Sequence, residues 1–175
     1  MSMYPIASQT VTSAQTYIAT FTGIPQTFQH LEARIFARGT NSGPNSDLIQ
    51  INNDVYASNY RTHNLYGNGA SVASADSGAS TFWNGNLIPG SDSTSGIFGV
   101  SILTILDYTS TTKNKVFRSI GGYDTNGGGI AEIRSGVYFN STISPITTIS
   151  FYVANAAVGS RVDLYGISTS SVTGA

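Results

Sequence analysis

Apolar and polar residues alternate with a period of two along much of this chain, most regularly in His30-Leu31-Glu32-Ala33-Arg34-Ile35-Phe36-Ala37-Arg38. Leu31, Ala33, Ile35 and Ala37 share a face that predicts a core. His30, Glu32, Arg34, Phe36 and Arg38 share the other, which is expected to carry an ion-pair ladder. Leu, Glu, Ala and Arg also favour helix, but strict alternation with a β-branched and an aromatic residue at Ile35 and Phe36 predicts a strand. The stretch from Pro145 to Ile167 reads as two strands around a small-residue turn, Asn155 to Ser160. Thr147, Ile149, Phe151 and Val153 form the more apolar face of the first, and Val162, Leu164 and Gly166 one face of the second. This hairpin-like unit is expected to close the fold. Gly96 to Tyr108 is a nearly continuous apolar run and predicts a central strand buried on both faces.

Further strands are predicted at Tyr17–Phe21, Leu48–Asn52, Asn59–Gly67, Val116–Ile120 and Ile130–Phe139, with irregular strands and long connections across residues 70–96. Turn signals separate them: Gly23-Ile24-Pro25, Asn52-Asn53-Asp54, Asn68-Gly69 and the triple glycine Gly127 to Gly129. Eight to nine strands with a turn about every ten residues predict an all-β chain, an antiparallel β-sandwich of jelly-roll-like form. The expected division is an N-terminal arm or outer strand over residues 1–14, the sandwich over 15–168 and a C-terminal tail over 169–175.

Composition supports this reading. The 175 residues carry eight Lys+Arg against nine Asp+Glu, only 10% charged, where globular chains average about a quarter. Ser, Thr, Asn and Gly replace the charges and suit turns and hydroxylated outer strand faces. A net charge of −1 leaves no electrostatic footprint for nucleic acid. Without cysteine there is no disulfide and no thiolate metal site. No stretch is long and apolar enough for a membrane helix. The start MSMYPIASQT lacks the basic and apolar parts of a signal peptide, so synthesis in a cytoplasm is expected.

No enzyme emerges from the side chains. The only imidazoles are His30 and His63, read as a solvent-facing strand residue and a hydrogen-bonded surface residue. No nucleophile-elbow pattern is present. Asn52-Asn53-Asp54 is too short and weakly charged for a calcium loop, and Gly127 to Gly129 is not followed by the helix and lysine of a phosphate loop. Glu32/Arg34 and Glu132/Arg134, each two apart, read as ordinary ladder pairs. Trp83, beside Phe82, is either a sugar-stacking residue or a loop tryptophan packed on its own domain. The expectation is therefore no catalytic residue, metal or cofactor.

Four stretches, FTGIPQTFQHLEARIFARG, NYRTHNLYGNG, ILTILDYTSTTKNKVFRSIGG and VGSRVDLYGI, resemble in order and spacing a group of small jelly-roll virion structural proteins of tailed bacteriophages. The resemblance runs from Phe21 to Ile167; residues 70–96 and the first twenty show no match. It implies a decoration or cement protein on the virion, assembled in the host cytoplasm. Such a protein binds the major capsid protein across capsomer seams as a homo-oligomer, a dimer or trimer. Under that reading Tyr4, Pro5 and Ile6 of the arm and Phe82 and Trp83 of the long loop are the expected contacts. The alternative is a tail-associated receptor-binding module that takes host-surface glycan on Trp83.

Overall fold

The computed structural model describes residues 2–168, and every regular element within them is a strand. In chain order these are β1 (Ser2–Thr10), β2 (Gln15–Thr22), β3 (His30–Ala37), β4 (Asn45–Ile51), β5 (Tyr60–Gly67) and β6 (Val72–Asp76). There follow β7 (Trp83–Ile88), β8 (Gly99–Leu106), β9 (Lys115–Asp124), β10 (Gly129–Tyr138), β11 (Thr148–Ala156) and β12 (Arg161–Ser168). They form an eight-stranded sheet, β1-β12-β3-β8-β9-β10-β5-β6, and a four-stranded sheet, β2-β11-β4-β7, antiparallel throughout.

The order resolves into a simple rule. β1 pairs β12, β2 pairs β11, β3 pairs β8 and β4 pairs β7. These nested pairs are one long hairpin whose successive couples fall alternately in the two sheets, which is the jelly roll. The predicted fold is therefore present. The strand number is twelve, because two hairpins, β5–β6 and β9–β10, are inserted and widen the larger sheet. Their turns follow local chemistry: Asn68 Oδ1 accepts from the Ala70 and Ser71 amides at 3.0 and 2.8 Å beside Gly69 at φ 86°, and Asn126 and Gly127 take φ 62° and 120°.

Both sheets turn their alternate apolar residues inward. Leu31, Ala33 and Ile35 of β3, Leu103 and Ile105 of β8, and Val162 and Leu164 of β12 face Ile49, Ile51, Ile149 and Phe151 across the core, and all are buried. Leu31, Ala33, Ile35 and the Ile149–Phe151 face lie as the alternation predicted.

Three expectations are corrected. β11 and β12 do not pair with each other: they stand in different sheets, and the 155–160 turn carries the chain across the core. A strand needs one buried face, and two strands facing each other satisfy that as well as a hairpin does. The Gly96–Tyr108 run is not buried on both faces. β8 alternates, with Ser101, Leu103 and Ile105 inside and Val100, Ile102 and Leu106 outside at 56%, 43% and 42% exposure. The arm reading of residues 1–14 gives way to its outer-strand alternative: residues 2–10 are β1, at the edge of the larger sheet, paired with β12 along its length and bulged between Pro5 and Ala7. An edge strand tolerates the missing proline N–H at such a bulge. The expected tail, residues 169–175, lies outside the described residues.

Candidate functional site

The outward face of the eight-stranded sheet is the most developed surface on the molecule. One rung crosses five strands as Arg34–Ile102–Ile120–Ile133–Leu65. The next on one side is Phe36–Val100–Gly122–Ala131–Gly67–Val72, and Phe36 stacks on Phe98 at 4.6 Å. On the other side lie Thr104–Arg118–Ser135–His63, then Leu106–Val116. Nine large apolar side chains on these rungs, Phe36 to Ile133, are 40% exposed or more. Together they amount to several hundred Å² of apolar surface, at the upper end of what a monomer leaves in water.

Four of the six arginines, Arg34, Arg61, Arg118 and Arg161, stand on this same face. Arg34 reaches Glu32 at 3.2 Å and Arg161 reaches Asp163 at 3.1 Å. Arg118 has no carboxylate partner among the described residues. Aliphatic and arginine side chains with little free carboxylate and no lysine are the make-up of protein interfaces. A groove of about 660 Å³ runs among Arg34, Phe36, Ile102, Ile120 and Tyr165. The outer face of the smaller sheet is different in kind. There Thr20, Ser150, Gln50, Tyr152 and Tyr17 are joined by Thr20 Oγ1–Ser150 Oγ (3.2 Å) and Tyr152 Oη–Gln50 Oε1 (3.0 Å) bonds.

Inside the sandwich, where β7 lies against the widened sheet, is a charged cluster that the strand pattern did not disclose. Glu132 and Arg134 point inward, 2.8 Å apart and almost wholly buried. Glu132 also accepts from the Leu87 amide (2.9 Å) and Asn64 Nδ2 (3.1 Å), and Arg134 donates to the Asn84 carbonyl (3.2 Å). Ser101 donates to Asp47 at 2.9 Å. Burial pushes the Asp47 carboxyl up to about 7, against the pull of Ser101 and Arg134 and with the push of Glu132. Asp47 Oδ1, Asn86 Oδ1, Ser119 Oγ, Arg134 Nε and Trp83 Nε1 find no hydrogen-bond partner among the described residues.

Asp54 is treated in the opposite way. It accepts from Tyr138 Oη (2.7 Å), Asn59 Nδ2 (2.6 Å), Asn140 Nδ2 (3.0 Å) and the Tyr56 amide (2.9 Å). Burial alone would raise its pKa, but these donors hold it below the ordinary range.

The residues singled out from sequence are scattered. Tyr4 stacks on Phe28 at 5.7 Å and Ile6 packs against the core, so both brace β1, while Pro5 is exposed on the outer edge. Phe82 is half-buried, edge-on to Tyr152 at 5.2 Å. Trp83 is fully buried and stacked on Phe117 at 5.4 Å, so its ring is closed to a sugar or a partner. A Cβ at Gly136 would fall 2.4 Å from the indole nitrogen and 2.0 Å from the Arg61 carbonyl, so only glycine admits the indole there.

His30 Nδ1 accepts from the Asp107 amide at 3.0 Å, and exposed His63 lies 4.0 Å from Asp76. The small basic run disperses: Lys113 pairs with Asp107 at 2.9 Å, Lys115 is buried on the Ser110 and Lys113 carbonyls, and Arg118 faces outward. Arg38 leaves the ladder face and is buried, donating to the Thr94, Ile97 and Ser93 carbonyls at 2.7–2.8 Å. No group of three or more His, Asp or Glu converges on a metal position among the described residues. The outward aliphatic rungs were the missed signal: Val100, Ile102 and Leu106 were legible as apolar but not as exposed.

Fold and surface define a jelly-roll domain whose distinctive feature is an aliphatic, arginine-bearing sheet face. Comparison with protein-family models, with curated proteins and with solved structures finds no match to this chain.

Proposed function

We propose that the chain is a structural protein of a tailed-phage virion, of the capsid-decoration type, which binds the outer shell and adds its binding free energy to the cost of separating capsomers. The observation that carries this reading is the outward face of the eight-stranded sheet. It exposes a contiguous aliphatic surface with arginines, built for protein contact. The resemblance of the four sequence stretches supplies the virion setting and the major capsid protein as partner. Many identical contacts on one shell act together, so each need only be moderate.

The proposed contact face takes in none of the five residues the sequence pointed to, of which Pro5 and Phe82 keep exposed surface. Tyr4 and Ile6 hold β1 in place, and Trp83 is internal. Deleting residues 1–12 would strip a paired edge strand, so it does not test contact alone. A glycan-binding role loses the exposed tryptophan on which it rested. The test is to mix purified protein with shells lacking it and image the particles by cryo-electron microscopy. Regular density over capsomer seams is the expected result. Bare shells, with the protein found only at the tail, would overturn the reading.

A further inference from the structure

We infer that the outward face of the eight-stranded sheet is covered by a second copy of this chain, with a two-fold axis running along the strands between β8 and β9. This rests on the reading above of that face as a protein-binding surface, and gives it to the homo-oligomer contact of that reading and not to the shell.

The register fixes what a two-fold here would bring together. The β8/β9 boundary is the midpoint of the sheet, with four strands on each side. Across it the outward residues pair as Ile102 with Ile120, Leu106 with Val116 and Thr104 with Arg118. Rotation about an axis lying along this boundary sets each β8 residue over the β9 residue of its own rung in the other copy. Ile102 then faces Ile120 twice, and Leu106 faces Val116 twice. This is the self-complementarity an isologous contact requires, in the aligned face-to-face packing common to two sheets.

Charge agrees. Arg118, the one arginine on the two central strands, meets the Thr104 hydroxyl of the other copy and not a second guanidinium. On the flank, Arg34 and Arg161 are already neutralised by Glu32 and Asp163. The area also fits. The exposed aliphatic surface is of the same order as the roughly 800 Å² that each partner gives to a standard interface. Covering it removes from water what a soluble chain would otherwise leave exposed.

Light scattering on the full chain at about 50 µM, above the micromolar Kd at the weak end for interfaces of this size, should give a particle of two chains. Ile120→Glu sets a carboxylate from each copy into the desolvated aliphatic seam and should weaken association at least about a hundredfold. Ile120 is 58% exposed in the single chain, so the thermal midpoint at low protein concentration should stay unchanged. The chain has no cysteine, which permits a second reading. Ile102→Cys mixed with Ile120→Cys should be joined by a short bismaleimide that spans the roughly 10 Å between two packed sheets, and Val158→Cys, in the turn between β11 and β12, should not.

A monomeric wild-type chain, a trimer, or a dimer indifferent to Ile120→Glu would overturn the inference. Shell binding is read separately. A dimer that leaves shells bare sinks the decoration reading and not the two-fold. A monomer that decorates shells sinks the two-fold and gives the face to the shell.

Discussion

Glu32 and Arg34 on β3 and Glu132 and Arg134 on β10 have the same spacing and lie in the same sheet, but they stand on opposite faces of it. The outer pair is 3.2 Å apart with the Arg34 side chain half exposed; the inner pair is 2.8 Å apart with side-chain exposures of 7% and 0%. In water an ion pair is screened and competes with side-chain entropy, so it is worth little. In the core both charges lose their hydration, and the pair persists only through its other bonds. Glu132 has those bonds, to the Leu87 amide and Asn64, and Arg134 has the Asn84 carbonyl. The inner pair therefore ties β5, β7 and β10 together. One motif serves as surface solvation in one place and as a fastening between sheet layers in the other.

The comparison breaks most sharply at the inner arginine. Arg134→Ala leaves Glu132 and Asp47 buried without a cation, and should cost about 3–5 kcal/mol. Denaturant unfolding would show it as a lowered midpoint. A loss under 1 kcal/mol would mean that water or neighbouring donors replace the guanidinium, and that the pair is no fastening.

How far the sequence discloses this is decided by what its patterns encode. Period-two alternation carries which residues share a face, so the core faces of β3, β11 and β12 were legible. It does not say which face is inside when both are partly apolar. In Leu31–Ile35 the residue between Glu and Arg is Ala33, and its neighbours Leu31 and Ile35 reveal the inward face. In Ala131–Gly136 the residue between them is Ile133, which by hydrophobicity belongs inside, yet Ile133 is outward and the charges are inward. The same confusion hid the exposed side of β8, where Val100, Ile102 and Leu106 are apolar for an interface. Nor does alternation say which strands pair, so β11 and β12 read as a hairpin although they face each other. Trp83 was undecidable without Gly136 and Phe117, which close around it from distant strands.

The inner cluster is sharpened by its third charge. Asp47 is raised from an ordinary 3.8 to about 7, chiefly by burial. Between about pH 4 and 7 the folded state thus holds a proton that the unfolded state has released, so stability falls as pH rises through that window. The full shift is worth on the order of 4 kcal/mol. Asp54, held low by its donors, has the opposite sign: its contribution is present above the ordinary carboxylate value and fades in acid. Asp47→Asn keeps an oxygen for the Ser101 hydroxyl and cannot ionise. It should gain about 1–2 kcal/mol at pH 8, part of that shift, and flatten the fall in stability between pH 5 and 8. Parallel pH profiles for variant and wild type would place the titrating group elsewhere.

The smallest effect belongs to the outer pair and completes the comparison. Arg34→Ala removes an exposed ion pair with Glu32 and a guanidinium 5.2 Å from the Tyr165 ring centre. Each is worth under about 1 kcal/mol at the surface. Glu32, left alone, keeps a solvated edge, so no buried charge is stranded. Thermal unfolding of the variant at low protein concentration should stay within about 1 kcal/mol of wild type, and the difference should shrink further in high salt. A loss approaching that of Arg134→Ala, insensitive to salt, would show that the face is desolvated even in the single chain. The inside–outside distinction between the two pairs would then fail at its outer member.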